Sequence, residues 1–193
     1  ALGDPVRKKI LAKRAVDHDI LEPIDLRPVA AWEFDGDLKS SVGSFPLKKH
    51  GKVEFSEGMA VIGANSYLQS QNLPFDLRAK SLEVWFLLKN LDQKGGGVMG
   101  IQGPGDFFDT IVIGERMARH WISGSNGFSR TKDFAGSNPE ESVGQIVHLI
   151  MTYQPEGMIS LYRNGELYGK PYKKALATFP KGKTSVIFGL RHL

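Results

Sequence analysis

Val147-His148-Leu149-Ile150-Met151-Thr152-Tyr153-Gln154-Pro155-Glu156-Gly157-Met158-Ile159-Ser160-Leu161-Tyr162-Arg163-Asn164-Gly165-Glu166 reads as strand, turn, strand, turn. Its first run, from Ile146 to Met151, is apolar at nearly every position, the pattern of a central strand buried on both faces. Met158–Arg163 alternates instead, which suits a strand with one wet face. Between them, Pro155-Glu156-Gly157 is turn chemistry, and Asn164-Gly165 is the dipeptide that best fits a tight hairpin, because both residues tolerate positive φ.

The same texture runs outward in both directions. Short apolar runs predict strands near 29–34, 52–55, 59–62, 66–70, 80–89, 97–102, 109–115, 118–123, 145–153, 158–163, 166–169 and 184–190. Leu82–Leu88 is a second run apolar at nearly every position and reads as another central strand. Asp35-Gly36 marks a further turn. Many strands spaced by turns, with no alternating helices, point to an all-β sandwich, and no fixed repeat suggests a propeller or β-helix. Residues 1–28 differ. Asp4-Pro5 is a helix start, and Val6, Ile10, Leu11, Val16, Ile20 and Leu21 fall on one face until Pro23 and Pro28 end the pattern. This helical lead-in reads as packing on the sandwich or as the remnant of a preceding domain; a membrane-surface helix would want larger anchors.

At 193 residues the chain is long for one domain but within the range of sandwiches. Its net charge of +4 is a weak field with scattered basic spots, which excludes a nucleic-acid reader on composition. The absence of cysteine removes disulfides, thiolate zinc sites, iron–sulfur clusters and covalent haem. No stretch approaches the ~18 apolar residues of a membrane span. The N-terminus lacks the apolar region of a signal peptide, so the expectation is a chain either mature or cut from something longer.

The order of segments resembles laminin-G-like domains of the concanavalin A-like lectin/glucanase superfamily. Ala31-Trp32-Glu33-Phe34-Asp35-Gly36-Asp37 with Ser41-Val42-Gly43 is similar to their opening strand and loop, and Gly63-Ala64-Asn65-Ser66-Tyr67-Leu68 to the strand after a glycine turn. Ser81-Leu82-Glu83-Val84-Trp85-Phe86 resembles the central tryptophan strand, and Val147–Tyr153 with Gly157–Glu166 the penultimate hairpin. The middle, Leu91–Gly97 through Gly124–Arg130, resembles the version found in large planctomycete proteins that carry a cytochrome-c-like region elsewhere. The resemblance implies a two-sheet antiparallel jelly-roll over 29–193, extracellular or periplasmic placement, and neighbouring domains of a parent protein as partners. Such domains close with a further strand carrying an Asp-Glu pair after Ile187-Phe188-Gly189. Here Leu193 follows closely, so the expectation is an excised fragment or a sheet edge completed by another segment such as Val29–Phe34.

Catalysis finds little support in the residues. Glycoside hydrolysis needs two carboxyl groups flanking the bond. The corresponding strand offers Glu83, with Trp85 and Leu87 where partner acids would stand; Glu33 and Asp35 alternate into a turn. The serines lack a Gly-x-Ser-x-Gly elbow, and His148 in its apolar strand reads as structural. Gly95-Gly96-Gly97 lacks the lysine and helix of a phosphate loop and reads as a flexible hairpin. Asp35 and Asp37 flank Gly36 and form the candidate metal pair, with Ca²⁺ the ion that suits loop oxygens and that the resemblance also implies; Asn65 or Asp133 could approach after folding. For ligand recognition, Arg116, Trp121, Asn126, Arg130 and Asp133 stand out between Arg116 and Phe134, because aromatic platforms with convergent polar groups recognise carbohydrate. The competing reading places Trp121 and Phe128 in the core, with the charges in local ion pairs. Phe107-Phe108 is a further candidate for exposed aromatics. The functional expectation is a non-catalytic recognition module for carbohydrate, against a protein-interaction domain or a divergent glycosidase.

Overall fold

The computed structural model describes residues 27–193. The expected helix from Asp4 to Leu21 lies outside the described residues. The strands are β1 (Leu47–His50), β2 (Val53–Ser56), β3 (Met59–Ile62), β4 (Tyr67–Ser70), β5 (Lys80–Leu87), β6 (Gly96–Gln102), β7 (Phe108–Ile113), β8 (Trp121–Ser125), β9 (Ile146–Tyr153), β10 (Met158–Arg163), β11 (Glu166–Leu167), β12 (Tyr172–Lys173) and β13 (Ser185–Phe188). They form a six-stranded sheet in the order β1-β4-β13-β6-β7-β8 and a five-stranded sheet containing β11-β10-β9-β5, where β12 also pairs with β10; β2 and β3 make a separate ribbon. All the pairings are antiparallel. The chain is an all-β, two-sheet jelly-roll sandwich.

Two-residue periodicity builds the core. Leu82 and Val84 of β5, Leu149 and Met151 of β9, and Ile159 and Leu161 of β10 meet Leu68, Ile101, Ile111, Ile113 and Val186 from the facing sheet. The turns follow their residues. Asn164 and Gly165 take φ 51° and 90°, the two positive values of a type I′ hairpin. Gly157, at φ 91°, closes the β9–β10 turn, where Gly157 N donates to Gln154 O at 2.8 Å.

Several boundaries depart from the expected ones. Residues 29–34 form no strand: Ala31 makes one bridge to Val42, and Trp32 and Phe34 pack edge-on to Phe188 at 5.4 and 5.3 Å. They therefore cap the sandwich and do not complete a sheet edge. The strand expected at 118–123 starts at Trp121, because Arg119 at φ 64° and the His120 N to Met117 O bond form a turn first. β5 is an edge strand buried on one face, with Glu83 exposed on the other, and not the central strand its apolar run suggested. β1 was not expected, since only Leu47 of its four residues is buried.

After β13 the chain folds back over the outer face of the six-stranded sheet. Arg191 O accepts from Thr110 Oγ1 at 2.7 Å, Leu193 N donates to Gln102 Oε1 at 2.9 Å, and His192 stacks on Phe108 at 4.6 Å. This crossing explains Gly97: a Cβ there would lie 2.4 Å from the backbone of Leu190 and Arg191.

Candidate functional site

The expected recognition segment, Arg116–Phe134, spans β8 and the loops on either side. The structure divides its residues between interior and rim. Trp121 has no exposed surface: its ring meets Phe86 edge-on at 5.4 Å, and its Nε1 donates to Glu140 Oε2 at 2.9 Å. It faces inward because β8 alternates, with Trp121 and Ser123 toward the opposite sheet; Ser123 Oγ lies 2.8 Å from the Tyr153 hydroxyl. Trp121 is thus a core residue with no face to offer a ligand. Phe108, 2% exposed, is likewise enclosed rather than presented.

Glu140, which sequence reasoning missed, anchors the following loop. It accepts from Trp121, from the amides of Glu141 and Ser142 at 3.0 and 2.9 Å, and from Arg163 through two contacts. Burial alone would raise its pKa, but the hydrogen bonds from Arg163, Trp121 and the Ser142 amide outweigh this and hold it at about 2. Its position among polar loop residues gave no periodic signal by which to find it.

Arg130, expected at the surface, is an internal clamp. Its Nε donates to Asp109 Oδ1 at 2.7 Å, Nη1 to Ser129 Oγ at 2.9 Å, and Nη2 to Phe108 O at 2.9 Å and Asn126 Oδ1 at 2.8 Å. Asp109 is fully buried and also accepts from Lys80 Nζ at 2.7 Å. Burial lowers the Lys80 pKa, with Asp109 opposing the shift. One carboxylate therefore faces two cations between the sheets, and through Arg130 it fixes Asn126 and the whole turn that follows β8. Neither Asp109 nor Lys80 was singled out in the sequence, because their partners lie 21 and 29 positions away.

What this clamp presents to solvent is Phe128. Gly127 and Phe128 both take φ 54°, a left-handed conformation unusual for an aromatic residue, and Phe128 is 42% exposed. The Arg116 guanidinium lies 5.8 Å from its ring centre, and Arg116 Nε donates to Asp133 Oδ1 at 3.0 Å. Arg116 thus lies over one exposed ring and carries Asp133 with it, while the Asn126 amide is turned to the buried Arg130 and Trp121 lies in the core. An apolar face beside a guanidinium–carboxylate pair is suited to a sugar, whose ring has one apolar face and a rim of hydroxyls.

The candidate metal pair lies exposed on the loop around Gly36. Asp37 is committed to its own turn, accepting from Lys39 N at 2.8 Å, and Asp133 is held by Arg116. Among the described residues, no group of three or more His, Asp or Glu side chains is placed to hold a metal ion. Of the acids weighed for catalysis, Glu33 accepts from Ser41 Oγ at 2.9 Å on the capping segment, and Glu83 sits on the outer face of β5, 2.8 Å from His148 Nε2. His148 is structural as expected, stacked on Trp85 at 3.9 Å. No helix among the described residues is long and apolar enough to cross a membrane.

Comparison with known proteins agrees with this architecture. The sequence profile described as the concanavalin A-like lectin/glucanases superfamily matches residues 62–190. No curated protein matches the sequence. Among solved structures, domain 4 of an extracellular GH43 arabinanase from Geobacillus stearothermophilus, in complex with arabinotriose, aligns at 20% identity and TM-score 0.58, over 83% of this chain and 91% of that one. The potassium-bound carbohydrate recognition domain of Emp46p aligns at 14% identity and TM-score 0.50, over 75% and 82%. The binding domain of botulinum neurotoxin serotype G aligns at 14% and 0.54, over 84% of this chain but 46% of that one. At these identities the likeness is one of fold.

Proposed function

Since the chain belongs to the concanavalin A-like lectin/glucanases superfamily, we propose that it is a non-catalytic carbohydrate-recognition module of a larger extracellular or periplasmic protein. The observation that carries this reading is the rim of the β8 loop. Phe128 is held exposed in a strained backbone by a buried ion-pair network that takes in Asn126, with Arg116 over the ring and Asp133 bonded to Arg116. Strain of this kind persists only where the surroundings over-determine it, and it favours a presented side chain over a filler.

Catalysis by paired acids is disfavoured by where the carboxylates go. Asp109 and Glu140 are enclosed and ion-paired, and Glu83 shares its strand face with Trp85 and Leu87. Structural neighbours whose names state a bound arabinotriose or a carbohydrate recognition domain add support without identifying the sugar. A docking domain without a small ligand is the second reading, favoured by β5, an eight-residue strand at the edge of its sheet that could pair with a neighbouring domain.

The test is a panel of neutral and acidic oligosaccharides, read by melting shift and calorimetry. The expected result is binding of at least one glycan, weakened by Phe128→Ala. Binding that Phe128→Ala leaves unchanged would remove the rim from the reading, and no binding across the panel would favour the docking domain.

A further inference from the structure

The opposite edge of the six-stranded sheet carries a second feature that the rim does not account for. β1 and β4 pair with Lys48 opposite Gln69 and His50 opposite Tyr67, and these side chains share the outer face of the sheet. His50 and Tyr67 stack almost parallel, 4.3 Å apart with 1° between their planes. Beside them lies a groove of about 350 Å³ lined by Lys48, His50, Gln69, Ser70, Gln71 and Asn72. Its walls are three amides, a ring, a serine and a lysine, not the aliphatic side chains of a core.

Two of its amides, those of Gln69 and Asn72, are positioned before any ligand arrives. Gln69 Nε2 donates to Ser185 Oγ at 2.9 Å, and Asn72 Nδ2 donates to Gly182 O at 2.8 Å, so each amide is oriented by a bond to a neighbouring element. Ser70 is held by its bond to Gln71 O at 2.8 Å. His50 has one face on Tyr67, which holds the imidazole upright at the groove. An edge strand built as Leu-Lys-Lys-His gains nothing in core packing from this pair, because Leu47 is its one buried residue.

We infer that this groove is a second glycan site, taking a short neutral oligosaccharide of which one sugar lies with its apolar face along His50 while hydroxyls further along bond to the Gln69 and Asn72 amides. The class of ligand rests on the carbohydrate reading above; the location does not. Oriented amides beside a ring match the donor–acceptor pairs of vicinal hydroxyls, whereas an anionic ligand would want more than the one lysine at its margin. β1 and β8 close opposite edges of the same six-stranded sheet. At ~4.8 Å per strand spacing, the groove and the Phe128 rim are roughly 24 Å apart. Two such sites on one rigid sheet bind separate stretches of a polysaccharide, and the second contact becomes intramolecular once the first is made.

The experiment is side-chain and backbone amide NMR of the full chain titrated with neutral trisaccharides (arabinose-, xylose-, glucose- and mannose-based), repeated with His50→Ala and Phe128→Ala. The groove is supported when the amides of Gln69, Gln71 and Asn72 shift on titration, and when His50→Ala weakens that response about tenfold or more while Phe128→Ala leaves it unchanged. The inference is overturned if no trisaccharide moves those amides, or if His50→Ala leaves their response intact. Shifts confined to the groove would support the second site while removing the rim, and shifts confined to residues 116–133 would do the reverse. His50→Phe keeps a ring at the position, so its retention of binding where alanine loses it separates the sugar contact from loss of the β1 edge.

Discussion

Arg163 grips the buried Glu140 carboxylate with two hydrogen bonds, Nε to Oε2 at 2.8 Å and Nη2 to Oε1 at 2.7 Å, and so ties the 126–145 loop to the end of β10. Removing one partner of a buried pair leaves the other uncompensated, typically at about 3 kcal/mol or more. Glu140→Gln is therefore expected to lower the melting temperature by roughly 10 °C in a domain of this size. The same contact sets a pH dependence. The folded pKa is depressed from an ordinary 4.5 to about 2, so its contribution is full above the unfolded value and fades as pH falls from there toward 2. Thermal melts between pH 6 and 2.5 should show wild-type stability falling more steeply than that of Glu140→Gln; parallel curves would assign the acid sensitivity elsewhere.

The buried centre on Asp109 predicts an asymmetry. Asp109→Asn leaves Lys80 and Arg130 facing each other without a counter-charge and should cost about 3–5 kcal/mol. Lys80→Met should cost less, about 1–3 kcal/mol: Asp109 Oδ2 loses its buried donor, but Arg130 still neutralises the carboxylate and the new side chain keeps a similar length against Tyr153 and Phe179, 4.1 and 4.8 Å from the ammonium. Urea denaturation of both variants checks this. Equal losses would show that the Lys80 contact is as necessary as that of Arg130.

Much of the fold was legible because local chemistry and tertiary structure agree. Asn164-Gly165 could serve one purpose well, and the runs around Leu149 and Leu161 had to be buried somewhere. What escaped were elements whose sequence is set by their position in the sheet. β1 reads as a polar loop because an edge strand needs one buried residue, and β5 reads as central because Trp85 and Leu87 cover its outer face. The candidate site was half legible. Composition marked Arg116–Phe134, but whether an arginine faces in or out depends on a carboxylate distant in sequence. Asp109 turned Arg130 inward and left Phe128 as the exposed ring, although Trp121 is the more suggestive residue in the sequence.

Calcium is expected to have little effect on this domain. Asp37 is engaged by Lys39 N, and Asp133 by Arg116. Two exposed aspartates around Gly36 fall well short of the six to eight oxygens the ion takes. Melting curves in millimolar calcium and in excess chelator should superimpose, and those of Asp35→Asn and Asp37→Asn should do the same. A rise in melting temperature with calcium that Asp37→Asn abolishes would show that backbone carbonyls complete a shell around this pair.

Trp121 and Phe128 should separate stability from recognition. Trp121 is wholly enclosed and bonded to Glu140, so Trp121→Ala is expected to cost about 3–5 kcal/mol and to expose the loop anchor as well. Phe128 is 42% exposed in a left-handed conformation, so truncation removes little packing. Phe128→Gly should hold or slightly raise the melting temperature, since glycine accepts φ 54° without strain. Glycan affinity should respond in the opposite order. Phe128→Gly loses about tenfold or more, the worth of a stacked ring, while the conservative Trp121→Phe retains binding as long as the protein is folded. Calorimetry and thermal melts on the same samples decide the matter: if affinity follows stability across the series, Phe128 has no contact of its own with the sugar.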